Sequence, residues 1–195
     1  VTETDAADQA IIDAIQNIGG LDILVSNAGA AHAGPMLSIS NDELRNAFEL
    51  NFFSHYSFST EAAKILKNQN RGGQILFNIS KQAVNPGKNF GAYGLPKATT
   101  FFLMRQLALE LGSDGIRVNG INADRIRSGL LTDDFISSRA KSRGVSETEY
   151  MAGNLLNKEV KAEHVANAFT SLACAESTTG HVMTVDGGNI EASLR

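Results

Sequence analysis

An α/β fold built on a doubly wound parallel sheet is what this chain predicts, and three observations predict it. Four short apolar runs, Leu21–Val25, Gly73–Ile79, Gly115–Ile121 and His181–Val185, have the length of strands and lack the alternation of a half-exposed sheet. Segments of helical periodicity separate them, as parallel strands require. Glycine, asparagine or proline punctuates nearly every junction.

The elements follow in order. Ala6, Ala10, Ile11, Ala14, Ile15 and Ile18 recur at helical spacing, and Gly19-Gly20 ends that helix before the first strand. The strand runs out at Asn27-Ala28-Gly29. Ser40-Asn41-Asp42-Glu43 supplies an N-cap and an acidic first turn for a long helix to about Lys67. After the second strand, a loop with Pro86 and Gly87 leads into a helix from about Gly91 to Leu111. The third strand is followed by an irregular, partly helical stretch from about Asn122 to Glu159, then a helix near Ala162–Ala173 and the last strand before Asp186-Gly187-Gly188. No internal repeat interrupts the pattern.

With 195 residues the chain suits one domain, 1–195, rather than two. A net charge of −4 with no basic stripe gives no footprint for nucleic acid. No apolar run is long enough to span a bilayer and no signal-peptide pattern occurs, so no membrane partner is expected. The single cysteine, Cys174, excludes an internal disulfide framework and fits a cytoplasmic setting; its apolar neighbours Leu172, Ala173 and Ala175 predict a small core residue. His32, His55, His164 and His181 show no metal-ligand spacing, so no metal site is expected. No methionine precedes Met36, and the chain reads as a piece of something longer.

Chemistry is concentrated in Gly91-Ala92-Tyr93-Gly94-Leu95-Pro96-Lys97. Residues four apart share a helix face, so the Lys97 ammonium can lie near the Tyr93 phenol. A cation roughly 5 Å away at an effective dielectric of ~20 is worth about 3 kcal/mol, or ~2 pK units. That acidification makes Tyr93 a candidate proton donor and acceptor. The spacing alone also fits an ordinary surface helix.

Six segments in order resemble the short-chain dehydrogenase/reductase family: Asp22-Ile23-Leu24-Val25-Ser26-Asn27-Ala28-Gly29, Asn51, Asn78-Ile79-Ser80, Tyr93 with Lys97, Ile116-Arg117-Val118-Asn119, and Thr179-Gly180 through Gly188. The resemblance implies a Rossmann-like domain and an oxidoreductase using NAD or NADP on a small-molecule carbonyl or secondary alcohol. It makes Tyr93 the general acid/base, Lys97 its electrostatic partner and ribose ligand, and Asn51 the anchor of a proton relay in a bend of its helix. Asn27-Ala28-Gly29 would lie against the adenosine side of the cofactor, and Ile126 and Ser128 beside the nicotinamide. Association as a homodimer or homotetramer through the helices at about 41–66 and 91–111 is also implied. Ser80-Lys81-Gln82-Ala83-Val84-Asn85-Pro86-Gly87, Asn122–Gly129 and the stretch from Gly188 to Arg195 are similar to the dehydrogenase half of fusions with an upstream class II sugar-phosphate aldolase, which points to a small hydroxy-aldehyde or sugar derivative.

The chain departs from the family in two places. Its glycine-rich T-G-x-x-x-G-x-G turn, which holds the cofactor pyrophosphate, has no counterpart in these residues. The expectation is therefore an N-terminally truncated domain whose strands are the fourth to seventh of an order 3-2-1-4-5-6-7. Its first strand would be left as an edge, and this segment by itself would bind cofactor poorly. Where the family usually has Ser-Ser, this chain has Ser80-Lys81. Successive extended residues face opposite sides, and counting back from Tyr93 favours Lys81 as the one facing the substrate, with Ser80 the alternative.

Two other readings accompany the oxidoreductase: a non-catalytic assembly domain, and a sugar epimerase or dehydratase sharing the Tyr–Lys pair, against which Asp186-Gly187-Gly188 speaks. The cations Arg125, Arg127, Arg139, Lys141 and Arg143 suit either a solvated helix face or a phosphorylated or carboxylated substrate.

Overall fold

The computed structural model describes residues 1–3, 5–31 and 33–189, so His32 and the stretch 190–195 used in the narrower resemblance lie outside it. Four parallel strands, β1 (Ile23–Ser26), β2 (Gly73–Asn78), β3 (Ile116–Ala123) and β4 (Val182–Val185), stand side by side in chain order. The helices are α1 (Ala6–Ile18), α2 (Asn41–Phe48), α3 (Ser54–Gln69), α4 (Gly91–Leu111), α5 (Asp133–Arg143), α6 (Glu147–Met151) and α7 (Ala162–Cys174).

Alternation within the strands explains the layers. Ile75 and Phe77 of β2 and Ile116 and Val118 of β3 point to one face, where Ile11, Ala62, Leu66, Met104 and Leu107 of α1, α3 and α4 complete the larger core. Leu76 and Ile121 point the opposite way, against Val165, Ala168 and Leu172 of α7. A third cluster of Leu131, Ile136, Ala140, Tyr150 and Met151 lets α5 and α6 pack on each other. Helices on both faces make the sheet doubly wound, as the apolar runs predict.

Local signals set the boundaries. Gly19 ends α1 in the left-handed conformation, φ +82°, donating its N–H to the Ile15 carbonyl. Ser40 and Glu43 form a capping box at the start of α2: the Ser40 hydroxyl accepts from the Glu43 amide and the Glu43 carboxylate accepts from the Ser40 amide. The long helix after Ser40 is not continuous. Between α2 and α3, Glu49–Phe53 winds as a π-helix, which places Asn51 in a local bulge.

β1 and β4 are the edge strands among the described residues; Ile23 and Val25 of β1 are 43% and 49% exposed, while Leu24 packs against the larger core. Cys174 is a correction: it is free and exposed. Two residues beyond Leu172 is about 200° around a helix, so the thiol turns away from the face that α7 buries. No helix among the described residues is long and apolar enough to cross a membrane.

Candidate active site

A cavity of about 320 Å³ opens at the carboxyl ends of β2 and β3, the end at which open α/β sheets bind ligands. Asn78 to Gln82 form one wall, Ala123 to Ile126 a second, Tyr93 of α4 a third, and side chains of α5 and α6 close it.

Tyr93 and Ser80 meet in this cavity. The Ser80 side chain lowers the pKa of the Tyr93 phenol, and its hydroxyl accepts from the Gln82 amide at 3.2 Å. Lys81 is placed differently. The strand has ended by Asn78 and residues 81–83 form a 3-10 turn, so strict alternation no longer applies. The Lys81 ammonium instead lies 3.3 Å from the Asp124 carboxylate, which also takes Arg125 Nε at 3.5 Å and the Asn189 amide at 2.5 Å. Of the Ser80–Lys81 pair, the serine is the one against the phenol.

Lys97 leaves the same helix one turn later, with its Nζ 5.9 Å from the Tyr93 ring centre. Its ammonium is 2% exposed, donates to the Asn78 carbonyl at 2.9 Å and lies 3.3 Å from His55 Nε2. Burial pulls its pKa down to about 8. The acidification of Tyr93 expected from the spacing is not what this arrangement produces. Burial raises the phenol above its ordinary value, the Ser80 side chain offsets part of that, and the lysine charge is directed at a carbonyl and an imidazole instead.

His55 is the residue that sequence reasoning passed over. It is 1% exposed, with Nδ1 2.6 Å from the Ser26 hydroxyl and Nε2 turned to Lys97. Opposite a charged ammonium, Nε2 must accept, which leaves the ring proton on Nδ1 facing Ser26. Burial first, and the Lys97 charge second, hold its pKa down at about 3. The available signal was its position four residues after Asn51, on the same helix face.

Asn51, 1% exposed, gives its amide hydrogens to the Ala30 and Ala47 carbonyls at 2.9 and 3.0 Å and accepts from the Ala30 amide at 3.2 Å. Its backbone carbonyl accepts from the Thr100 hydroxyl at 2.7 Å. The side chain thereby pins the turn after β1. Gly29 in that turn permits no side chain, since a Cβ would stand 2.8 Å from Asn51 Oδ1 and 3.6 Å from Lys97 Nζ. Asn27 Oδ1 accepts from the Asn78 amide at 2.7 Å in the same turn, and the Ala28 backbone acts on the His55 ring against the lowering of its pKa. Ile126 and Ser128 line the cavity that Tyr93 enters, and the Ser128 hydroxyl donates to the Ile126 carbonyl. The described residues hold no cluster of His, Cys, Asp and Glu suited to a metal.

A family model described as enoyl-(acyl carrier protein) reductase matches residues 1–189. The chain belongs to the short-chain dehydrogenase/reductase family. Relatives of this short-chain dehydrogenase/reductase include the uncharacterized oxidoreductase YuxG of Bacillus subtilis, 35% identical over 96% of this chain and 28% of YuxG. The 7alpha-hydroxysteroid dehydrogenase of Escherichia coli K12 is 32% identical over 91% of this chain and 67% of that protein. Among solved structures, acetoin dehydrogenase from Enterobacter cloacae superposes with a TM-score of 0.83 at 27% identity, over 98% of this chain and 73% of that one. The chain thus spans little more than a quarter of YuxG and about two thirds of the hydroxysteroid dehydrogenase.

Proposed function

We propose that this short-chain dehydrogenase/reductase chain carries the proton-transfer side of an NAD- or NADP-dependent oxidoreductase acting on the carbonyl or secondary alcohol of a small hydroxy-aldehyde or sugar derivative. The observation that carries the reading is the cavity beyond β2 and β3, which Tyr93 and Ser80 line together. The nicotinamide, when bound, supplies or accepts the hydride. Tyr93 gives its phenolic proton to the substrate oxygen in reduction and takes it back in oxidation, and Ser80 donates a hydrogen bond to that oxygen. Lys97 is the ribose ligand and the positive charge behind the phenol. Asn51 belongs to the relay by holding the Ala30 turn beside Lys97.

The nicotinamide end of a cofactor fits the residues present, because Ser80, Tyr93, Ile126 and Ser128 all face one cavity. Ile126 and Ser128 are assigned to the nicotinamide, and the backbone of Asn27-Ala28-Gly29 to the adenosine side. A volume of about 320 Å³ lies at the lower end of small-molecule sites, roughly 300–1,000 Å³, which supports a small substrate over a steroid. Exposed Tyr56 on α3 and Phe102 and Leu109 on α4 support a homodimer or homotetramer. The likeness to aldolase-fused dehydrogenases stays a reading of residues 80–87 and 122–129.

The competing reading is a non-catalytic assembly domain. Titration of the intact protein with NADH and with NADPH, followed by cofactor fluorescence, separates the two. Micromolar binding of at least one is expected; a folded protein that binds neither at millimolar concentration is an assembly domain.

A further inference from the structure

We infer that the cavity holds the anionic end of its substrate on Arg139, with Arg143 at the rim, so that the substrate is a small hydroxy- or oxo-compound bearing a terminal carboxylate or phosphate. The inference rests on the oxidoreductase reading and names the substrate class for that site.

Charge is the first argument. The chain as a whole carries −4, yet the cavity is lined by Lys81, Lys88, Arg125, Arg139 and Arg143 against a single carboxylate, Asp124. That carboxylate is already committed to Lys81, Arg125 and Asn189. Arg125 is further tied down by the Tyr150 carbonyl at 2.6 Å. None of this neutralises the arginines of α5.

The second argument is Arg139 itself. Its guanidinium lies over the Phe90 ring, 5.4 Å from the centre, and its Nε–H is buried without a hydrogen-bond partner. No carboxylate among the described residues pairs with Arg139 or Arg143, whereas Arg127, outside the cavity, is held by Asp133 and Glu159. A planar guanidinium fixed against an aromatic ring offers paired N–H groups that match a carboxylate or a phosphate. Phe90 and Tyr93 are three residues apart at the start of α4, and both line the cavity together with Arg139. The substrate then spans the cavity with its reacting carbon at Tyr93 and Ser80 and its charge at Arg139.

The test measures binding of lactate, glycerol 3-phosphate and uncharged propane-1,2-diol to the intact protein by calorimetry. At least one anion is expected to bind about tenfold or more tightly than the diol, and which anion wins distinguishes carboxylate from phosphate. Arg139→Met, which keeps the stem against Phe90, is expected to weaken that anion roughly tenfold to hundredfold with the diol unchanged. Arg139→Lys should restore part of it, and Arg127→Met should change nothing. Equal binding of anions and diol, or full anion binding by a folded Arg139→Met protein, overturns the inference. Because binding is read without turnover, the two readings fail separately: NADH- or NADPH-dependent reduction of uncharged carbonyls as fast as anionic ones sinks the anion site alone, and Arg139-dependent anion binding without oxidation of either NADH or NADPH sinks the oxidoreductase alone.

Discussion

Tyr93 and Lys97 leave α4 one turn apart, yet their surroundings differ in every respect that matters to chemistry. The phenol enters a cavity open to small molecules, beside a serine hydroxyl and a wall of cations. The ammonium is sealed between a carbonyl and a neutral imidazole, 2% exposed. Burial acts on both and raises one pKa while lowering the other, because it disfavours the charged form of each. One side of the helix thus faces the cavity, and the other keeps a charge in place.

Substitutions at the two sides should separate activity from stability. Tyr93→Phe has the largest expected effect, a loss of turnover of about 10²–10⁴-fold with a stability change of about 1 kcal/mol or less from removal of the phenol hydroxyl. Steady-state NADH kinetics beside a urea melt decide it, and retained turnover removes Tyr93 from the mechanism.

On the sealed side, the folded pKa of His55 is depressed from 6.5 to about 3. Its contribution to stability is complete above pH 6.5 and is lost as pH falls through about 3, up to about 5 kcal/mol. His55→Gln keeps an acceptor for Lys97 and does not titrate, so its urea midpoint should fall less than that of the natural protein between pH 6.5 and 3.

Lys97 gives a smaller effect of the same kind. Its folded pKa is also depressed, from 10.5 to about 8, so its contribution is present above pH 10.5 and is lost as pH falls through about 8. Stability should rise by about 3 kcal/mol across that window. In Lys97→Met the rise should vanish together with turnover; if the rise persists in the variant, another group is responsible for it.

How far the sequence reveals these two sides differs as well. The strands were legible as short apolar runs bounded by turn residues, and α1 because its apolar residues recur at helical spacing. Tyr93 with Lys97 was legible because a helix fixes which residues share a face. The choice between Ser80 and Lys81 was not, since alternation holds only while the backbone stays extended and the chain turns at residues 81–83. The partner that removes Lys81 from the phenol, Asp124, is 43 residues away in the chain. A lone histidine such as His55 has no pattern of its own, and only packing shows that it faces a lysine 42 residues later. α5 and α6 stayed indistinct for a related reason: α5 buries only Ile136 and Ala140, too few apolar positions to mark a period.

The π-helical interruption at Glu49–Phe53 carries a consequence for the whole segment from 41 to 69. One surplus residue in a helical turn shifts the angular phase of everything after it by about 100°. α2 ahead of it buries none of its side chains, and α3 behind it buries Ser54, His55, Ser59, Ala62, Ala63 and Leu66. A single rod is thereby divided into an outward-facing length and an inward-facing one. Deleting a residue there would not shorten a loop but rotate the imidazole off the ammonium it faces.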